Sequence, residues 1–310
     1  MTTPRRLIMT ATLLCSVTVL AARAHAETPE AATTRAEIRK TFGFLPGFLK
    51  QMPDLVLPGF WQEMSGLEMN PGTALPGKTK ELISLAVAAQ IPCEYCIYAH
   101  TEFAKLNGAT QAELGEAVGM AALTRHWSTF MNGMQMDEGK FRGEIKQVIT
   151  NLKKMAAGGG ATSKPIQVTD ARTALEDVKQ TMGFVPEFIQ KFPAEGVAGA
   201  WNAMKSLEMN PQTAIPGKHK SLIGLAVAAQ IPCKFCIIAD TEFAKLEGAT
   251  DREIAEAVAM ASLTRTGSTI LNGLQIDRGA FRKDIGKLVV GARKHMSMEA
   301  AAKGKMAVAK

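Results

Sequence analysis

Four side chains within twenty positions could do chemistry together: Glu81, Cys93, Cys96 and His100, spaced Glu81-x11-Cys93-x2-Cys96-x3-His100. Two cysteines three apart at a helix start lie on one face, close enough to form a disulfide. The helix N-terminus offers partial positive charge, which favours a thiolate over a thiol. His100 follows Cys96 by one helical turn and could exchange a proton with the sulfur, directly or through one water. If the chain folds back at Ile91-Pro92, Glu81 lies roughly 15 Å from the turn along one helix and His100 roughly 12 Å along the other. The two then meet, and the carboxylate orients the imidazole and raises its basicity. The relay read from these positions runs Glu81 to His100 to Cys96, with Cys93 as the second thiol.

Each of the four has a plainer role when taken alone. A glutamate near a helix start is commonly a favourable surface charge, and a lone histidine is commonly structural. Tyr95 and Tyr98 read as packing or rim residues, and His126 and His219 as surface or structural ones. The same text recurs 140 residues later as Ser221-LIGLAVAAQIP-Cys233-KF-Cys236-IIA-Asp240. Here Ser221 stands for the glutamate and Asp240 for the histidine. An aspartate one turn from Cys236 raises the thiol pKa by like-charge repulsion, with Lys234 expected to offset part of the effect. The second copy therefore reads as a degenerate one kept for packing, or as a weak or structural Cys233–Cys236 disulfide, or as a relay partner of the first site.

The elements that must position these residues are duplicated too. Thr41-FGFLPGF matches Thr181-MGFVPEF, Leu67-EMNPGTALPGK matches Leu207-EMNPQTAIPGK, and Asn132-Gly133 matches Asn272-Gly273, all at a shift of 140. So long a period is a duplicated domain rather than a solenoid. Gly158-Gly159-Gly160 opens a connector over 157–166, which leaves repeat one at 33–156, repeat two at 167–295 and an Ala-, Lys- and Met-rich tail at 296–310 that is expected to fray. Within repeat one, Asn70-Pro71-Gly72 breaks the chain before an apolar helix over about Lys78 to Gln90. Pro92 suits the first turn of a second helix from about Cys93 to Leu106, which Gly108 ends. Thr110 with Glu113 forms a capping-box pattern that opens a third helix through about Met131, and a fourth spans Glu138 to Lys153. No run alternates as a strand would, so the class is all-α.

The chain begins like an exported protein. Arg5-Arg6, an apolar stretch from Leu7 to Ala22 and Ala24-His25-Ala26 predict a signal peptide over 1–26, cleaved before Glu27 and leading to the periplasm. An uncleaved anchor is the alternative. Twin-arginine export fits the flanking residues poorly, and Cys15 lacks the small neighbour that a lipid anchor needs. The net charge of +7 includes Arg5, Arg6 and Arg23, so the mature chain carries +4, spread too evenly to suggest a nucleic-acid surface. Of the five cysteines, the four outside the leader all lie in Cys-x-x-Cys pairs, the pattern of redox or metal chemistry rather than of widely spaced structural bridges.

The Glu-Cys-Cys-His string inside an Ala/Leu-rich helical hairpin resembles the alkylhydroperoxidase D / carboxymuconolactone decarboxylase superfamily, over roughly 35–150 and 175–290. The resemblance implies two tandem alkylhydroperoxidase D-like helical domains. It implies a cysteine-based peroxidase with Cys96 attacking the peroxide, Cys93 resolving it as a Cys93–Cys96 disulfide, and Glu81 with His100 relaying protons. Some members carry a histidine between the cysteines, where this chain has Tyr95. Decarboxylase members generally lack the cysteine pair, which argues against lactone decarboxylation. The implied partners are a hydroperoxide substrate, a thiol or disulfide reductase, and other copies of the chain, three fused pairs imitating a hexamer. No flavin, haem or metal cofactor is required. Two other readings stay open: a thiol-disulfide oxidoreductase with little peroxide activity, and a structural or zinc-binding protein using Cys93, Cys96, His100 and Glu81.

Overall fold

The computed structural model describes residues 27–157 and 165–308; the expected leader at 1–26 and most of the expected connector lie outside them. Among the described residues the fold consists of fourteen α-helices and one π-helical turn, with no strand. The chain divides at Gln62–Glu63 into two compact units rather than at the connector between the repeats.

The first unit holds α1 (Pro29–Phe42), α2 (Gly47–Lys50) and most of α3 (Leu57–Glu63). Thr28 caps α1, and Gly43 ends it in the left-handed conformation at φ 78° that a residue with a Cβ adopts only at a cost. The Arg35 guanidinium ties α1 to its flanking segments, reaching Glu27 and Asp54 at 2.6 Å each.

The second unit opens with the π-helical turn Met64–Glu68 and continues through α4 (Gly77–Gln90), α5 (Glu94–Leu106), α6 (Gln111–Gly133) and α7 (Glu138–Ala157). Repeat two adds α8 (Ala171–Met182), α9 (Glu187–Gln190), α10 (Ala194–Leu207), α11 (Gly217–Gln230), α12 (Lys234–Leu246), α13 (Asp251–Gly273) and α14 (Arg278–Val308). The last helix runs straight through position 295, so no break separates repeat two from the tail there. The capping box of Thr110 and Glu113 starts α6, and Thr250 with Glu253 starts α13 in the same way.

A shared core explains why the units ignore the repeat boundary. Every residue of α4 from Thr79 to Ala88 is buried, and so is every residue of α11 from Lys220 to Ala228. A helix apolar on all sides needs neighbours on all sides. α4 packs on α5 and α6 of its own repeat and on α11 and α13 of the other; α11 packs on α12, α13, α4 and α6. Burying one Leu, Ile or Val side chain stabilises by about 1.5–3 kcal/mol. Leu82, Ile83, Leu222 and Ile223 lie in one cluster that draws on both repeats, so neither repeat keeps its core alone.

Polar contacts repeat the exchange. The Glu256 carboxylate accepts the N–H groups of Ala74 and Leu75 at 2.7 and 3.1 Å, while Glu116 accepts those of Ala214 and Ile215 at 2.8 and 2.7 Å. The final helix of each repeat covers the cysteine helix of the other: α14 packs on α5 and α7 on α12. The Tyr95 hydroxyl donates to the Ile276 carbonyl at 2.5 Å, which makes it the packing residue expected from the sequence.

Candidate redox site

Cys93 is the N-cap of α5, and the helix begins at Glu94. Pro92 thus falls in the turn before the helix rather than in its first turn. The shift matters chemically, because an N-cap side chain accepts backbone N–H groups that the helix leaves unpaired. The Cys93 Sγ accepts the Cys96 N–H at 3.3 Å. It also accepts from Asn272 Nδ2 at 3.5 Å, and Asn272 belongs to α13 of the other repeat. The Cys96 thiol, Ser268, the Cys96 N–H and Asn272 together pull the Cys93 pKa down to about 6, against the cost of burial. Cys96 moves the other way. Its hydrogen bond to the Cys93 thiolate and its burial hold its proton on. The resting pair is therefore a thiolate at Cys93 facing a thiol at Cys96 (all four cysteines outside the leader are free and buried).

Glu81 lies on α4 and His100 on α5, and the fold-back at Ile91–Pro92 brings them together with His100 Nδ1 2.8 Å from Glu81 Oε2. The relay partners expected from spacing thus touch. Their charge state differs from the sequence expectation. Both are buried, at 6% and 9% exposure, and burial penalises ions. Burial raises Glu81 to about 8 and lowers His100 below its ordinary range. The pair holds one proton between two neutral groups at neutral pH, instead of a carboxylate making the imidazole more basic. His100 senses Glu68 and the Cys93 thiolate, both of which favour its protonated form.

Glu68 is the residue that spacing missed. It ends the π-helical turn, and its Oε1 lies 3.6 Å from His100 Nδ1. Burial and the neighbouring Glu81 raise it to about 7. Lys80 holds it in place. This fully buried lysine donates to the carbonyls of Leu67 and Asn70 and to Thr73 Oγ1, at 2.7, 2.8 and 3.0 Å, and so fixes the loop on either side of Glu68. Glu68, Glu81 and His100 bring one ligand atom each within 4.8 Å of one another. That set differs from the four-ligand zinc set weighed from the sequence, since the sulfurs are not in it. The only sequence sign of Glu68 is its Leu-Glu-Met-Asn-Pro setting, repeated around Glu208.

Asn272 and Ser268 were hidden for a different reason. They share the spacing of Asn132 and Ser128, but each pair serves the other repeat's cysteine: Asn132 Nδ2 lies 3.6 Å from Cys233 Sγ. Replacing Asn272 by alanine is expected to raise the Cys93 pKa and cut its thiolate fraction at pH 6 about threefold, from the loss of one neutral donor. Asn132→Ala should leave Cys93 unchanged. The pH dependence of Cys93 alkylation, read by peptide mass in both variants, checks this, and an effect of Asn132→Ala on Cys93 would contradict the exchanged geometry.

In repeat two Cys233 caps α12 as Cys93 caps α5, and its pKa likewise falls to about 6. The Cys233 hydrogen bond, burial and Asp240 raise Cys236. Lys234 does not offset this, being 77% exposed at its side chain and turned to Glu138 at 3.6 Å. Ser221 donates to Glu247 at 3.2 Å and does not reproduce the Glu81–His100 contact. Of the other histidines, His126 stacks with Trp127 and Phe192, and His219 Nδ1 lies 3.4 Å from Thr79 Oγ1.

Comparison with known proteins agrees with this architecture. A 52-residue stretch is 42% identical to "Uncharacterized protein 4 in cox locus" of Paracoccus denitrificans, covering 17% of this chain and 47% of that relative. A solved structure from Burkholderia xenovorans, provisionally named a gamma-carboxymuconolactone decarboxylase subunit, superposes over 87% of this chain and 99% of its own with a TM-score of 0.51 and 17% identity, a likeness of fold. The model of the carboxymuconolactone decarboxylase family matches twice, at residues 57–138 and 195–278. The chain therefore belongs to the carboxymuconolactone decarboxylase family, with its family domain present in two copies.

Proposed function

We propose that the chain is a thiol-dependent peroxidase that reduces hydroperoxides through a Cys93–Cys96 dithiol/disulfide cycle. The observation that carries this reading is the Glu81–His100 pair, 2.8 Å apart and buried on the hairpin that bears the two thiols. A thiol-disulfide oxidoreductase needs the cysteines and the helix start but not a buried proton relay.

The resting thiolate is on Cys93, yet Cys93 is 0% exposed while Cys96 retains 4%. In this reading the attacking sulfur is Cys96, the cysteine one helical turn from His100. Its proton passes to Cys93 along their shared S–H···S hydrogen bond, and the Cys96 thiolate attacks the terminal peroxide oxygen. The O–O bond breaks, the Cys96 sulfur is oxidised to a sulfenic acid, and His100 with its carboxyl partners supplies the proton that turns the leaving alkoxide into an alcohol. Cys93 then attacks the sulfenic sulfur, its proton leaves with the hydroxyl as water, and the S–S bond forms. An external dithiol or disulfide reductase returns two electrons by exchange. The substrate class is a hydroperoxide. Export by the leader at 1–26 would put the cycle outside the cytoplasm, where a dedicated reductant must serve it. The paired repeats act as a built-in dimer, and three chains would complete a hexamer-like assembly.

Anaerobic addition of an alkyl hydroperoxide to the reduced chain tests this. One Cys93–Cys96 disulfide should form per peroxide consumed, located by peptide mass. Peroxide loss without that disulfide, or no loss at all, would refute the reading.

A further inference from the structure

A cavity of about 250 Å³ lies within the second unit, between repeat two and helices α6 and α7 of repeat one. Its wall is apolar and aromatic, with Trp127, Phe141, Phe188 and Phe243 among the lining residues. Its polar lining is carboxyl-rich: Glu208, Asp240 and Glu247, beside Ser221 and the Cys236 thiol. Among the described residues, the side-chain carboxyls of Asp240 and Glu208 make no hydrogen bond or ion pair. Asp240 is 7% exposed. A buried carboxyl without a partner is costly, and one that faces an open cavity is placed to meet a ligand.

The lysines of the two helices that carry Ser221 and Asp240 make their hydrogen bonds and ion pairs elsewhere. Lys220 spends its three protons on the Leu207 and Asn210 carbonyls and Thr213. Lys218 pairs with Glu253, Lys234 with Glu138 and Lys245 with Asp251. Those four are every lysine on α11 and α12, the helices that carry Ser221 and Asp240. The lining is thus acid with only partial compensation, from Lys220 on Glu208 and Glu247 and from Ser221 on Glu247, and Asp240 receives none of it. Gly224 makes the arrangement possible, since a Cβ there would stand 2.8 Å from Asp240 Oδ1; repeat one has Ser84 at that position.

We propose that this cavity binds an amphipathic monocation of the alkylamine class, with its ammonium on Asp240 and Glu208 and its apolar body along the aromatic wall. The ammonium donates three hydrogen bonds to carboxylates that otherwise have none, and any proton the acids hold leaves to solvent as the ion pair forms. A carboxylate ligand would add like charge, and a neutral alcohol would offer one uncharged hydrogen bond in place of the charge-assisted bonds of an ammonium. Burial and the neighbouring Glu208 raise Asp240, and burial with Glu247 raises Glu208 against the opposing pull of Lys220, a strain that a bound cation relieves. In this reading repeat two has exchanged the proton relay for a binding site, and its Cys236, held as a thiol, lines the cavity without reacting.

Calorimetric titration of octylamine, octan-1-ol and octanoate into the full chain decides the matter. Octylamine should bind once per chain and at least about tenfold more tightly than octanol, from charge-assisted bonds, with octanoate weakest. Asp240→Asn should bring octylamine down to the octanol level and leave octanol unchanged. Glu208→Gln gives the same comparison if Asp240→Asn does not fold, and the order of the three probes on the parent chain stands without either variant. Octanol or octanoate equalling octylamine, no heat from any probe, or full octylamine affinity in a folded Asp240→Asn chain would overturn the proposal.

Discussion

Cys96→Ser is expected to abolish hydroperoxide consumption, with a fall of about 10³-fold or more, as for loss of an attacking nucleophile. Cys93→Ser should behave differently. Cys93 carries the resting charge but has no exposed surface, whereas Cys96 carries the proton and retains some. Without Cys93 the first turnover slows, because the acceptor of the Cys96 proton is gone, and the sulfenic acid that forms has no resolving partner. The Cys93→Ser chain should therefore accumulate a Cys96 sulfenic acid that a dimedone adduct captures once per chain. The Cys96→Ser chain should give no adduct at Cys93. Catalytic rate with an added dithiol, together with adduct mapping, checks both outcomes. Unchanged turnover in Cys96→Ser, or an adduct on Cys93, would place the attack on the more acidic sulfur and end this assignment. Cys236→Ser should leave the rate at the parent level, since the raised Cys236 thiol borders a cavity without a Glu-His pair.

What spacing could reveal and what it could not divides along a physical line. The Glu81–His100 contact was legible because both residues sit on one hairpin, and the rise per residue fixes their heights once the turn is known. The helices and their capping boxes were legible because they are local. Asn272, Ser268 and the Glu256–Leu75 bond were not, because duplication allows each surface two partners, its own repeat or the other. Periodicity is the same in either case. Buried length decides it: α4 and α11 have no polar face to turn outward. Glu68 was hidden because a π-helical turn shifts the register that an α-helical reading assumes. The protonation of Glu81 was misjudged for want of one quantity, the burial that makes a neutral pair cheaper than an ion pair.

Glu81→Gln is expected to lower peroxide turnover about 100-fold, the usual weight of a positioned proton-transfer group, while thiol-disulfide exchange changes only a few-fold. That split separates a peroxidase from a simple dithiol exchanger. The pH profile carries the same information. Peroxide turnover in the parent should rise with pH as the thiol pair loses its proton near 6 and fall as the Glu81 proton is lost near 8, giving apparent values that belong to the coupled groups. In Glu81→Gln the alkaline limb should vanish. Stability must change with a defined sign. Glu81 has its folded pKa raised from 4.5 to about 8, so its contribution is fully present below 4.5 and is lost as pH climbs through 8. Glu68, raised to about 7, acts in the same direction, whereas His100, lowered by burial, loses stability as pH falls below its ordinary value of 6.5. Between about 6.5 and 8 each raised carboxyl lowers stability with a slope of at most about 1.4 kcal/mol per pH unit, while the Cys93 and Cys233 thiols, lowered from 9.0 to about 6, raise it over the same interval. The unfolding free energy of the parent minus that of the Glu81→Gln chain isolates Glu81, and this difference should decline as pH climbs from 6.5 to 8, because the variant has nothing to ionise at that position. A parent-minus-variant difference that stays flat from pH 6.5 to 8 would mean that Glu81 is already a carboxylate, and the neutral relay could not be the resting state.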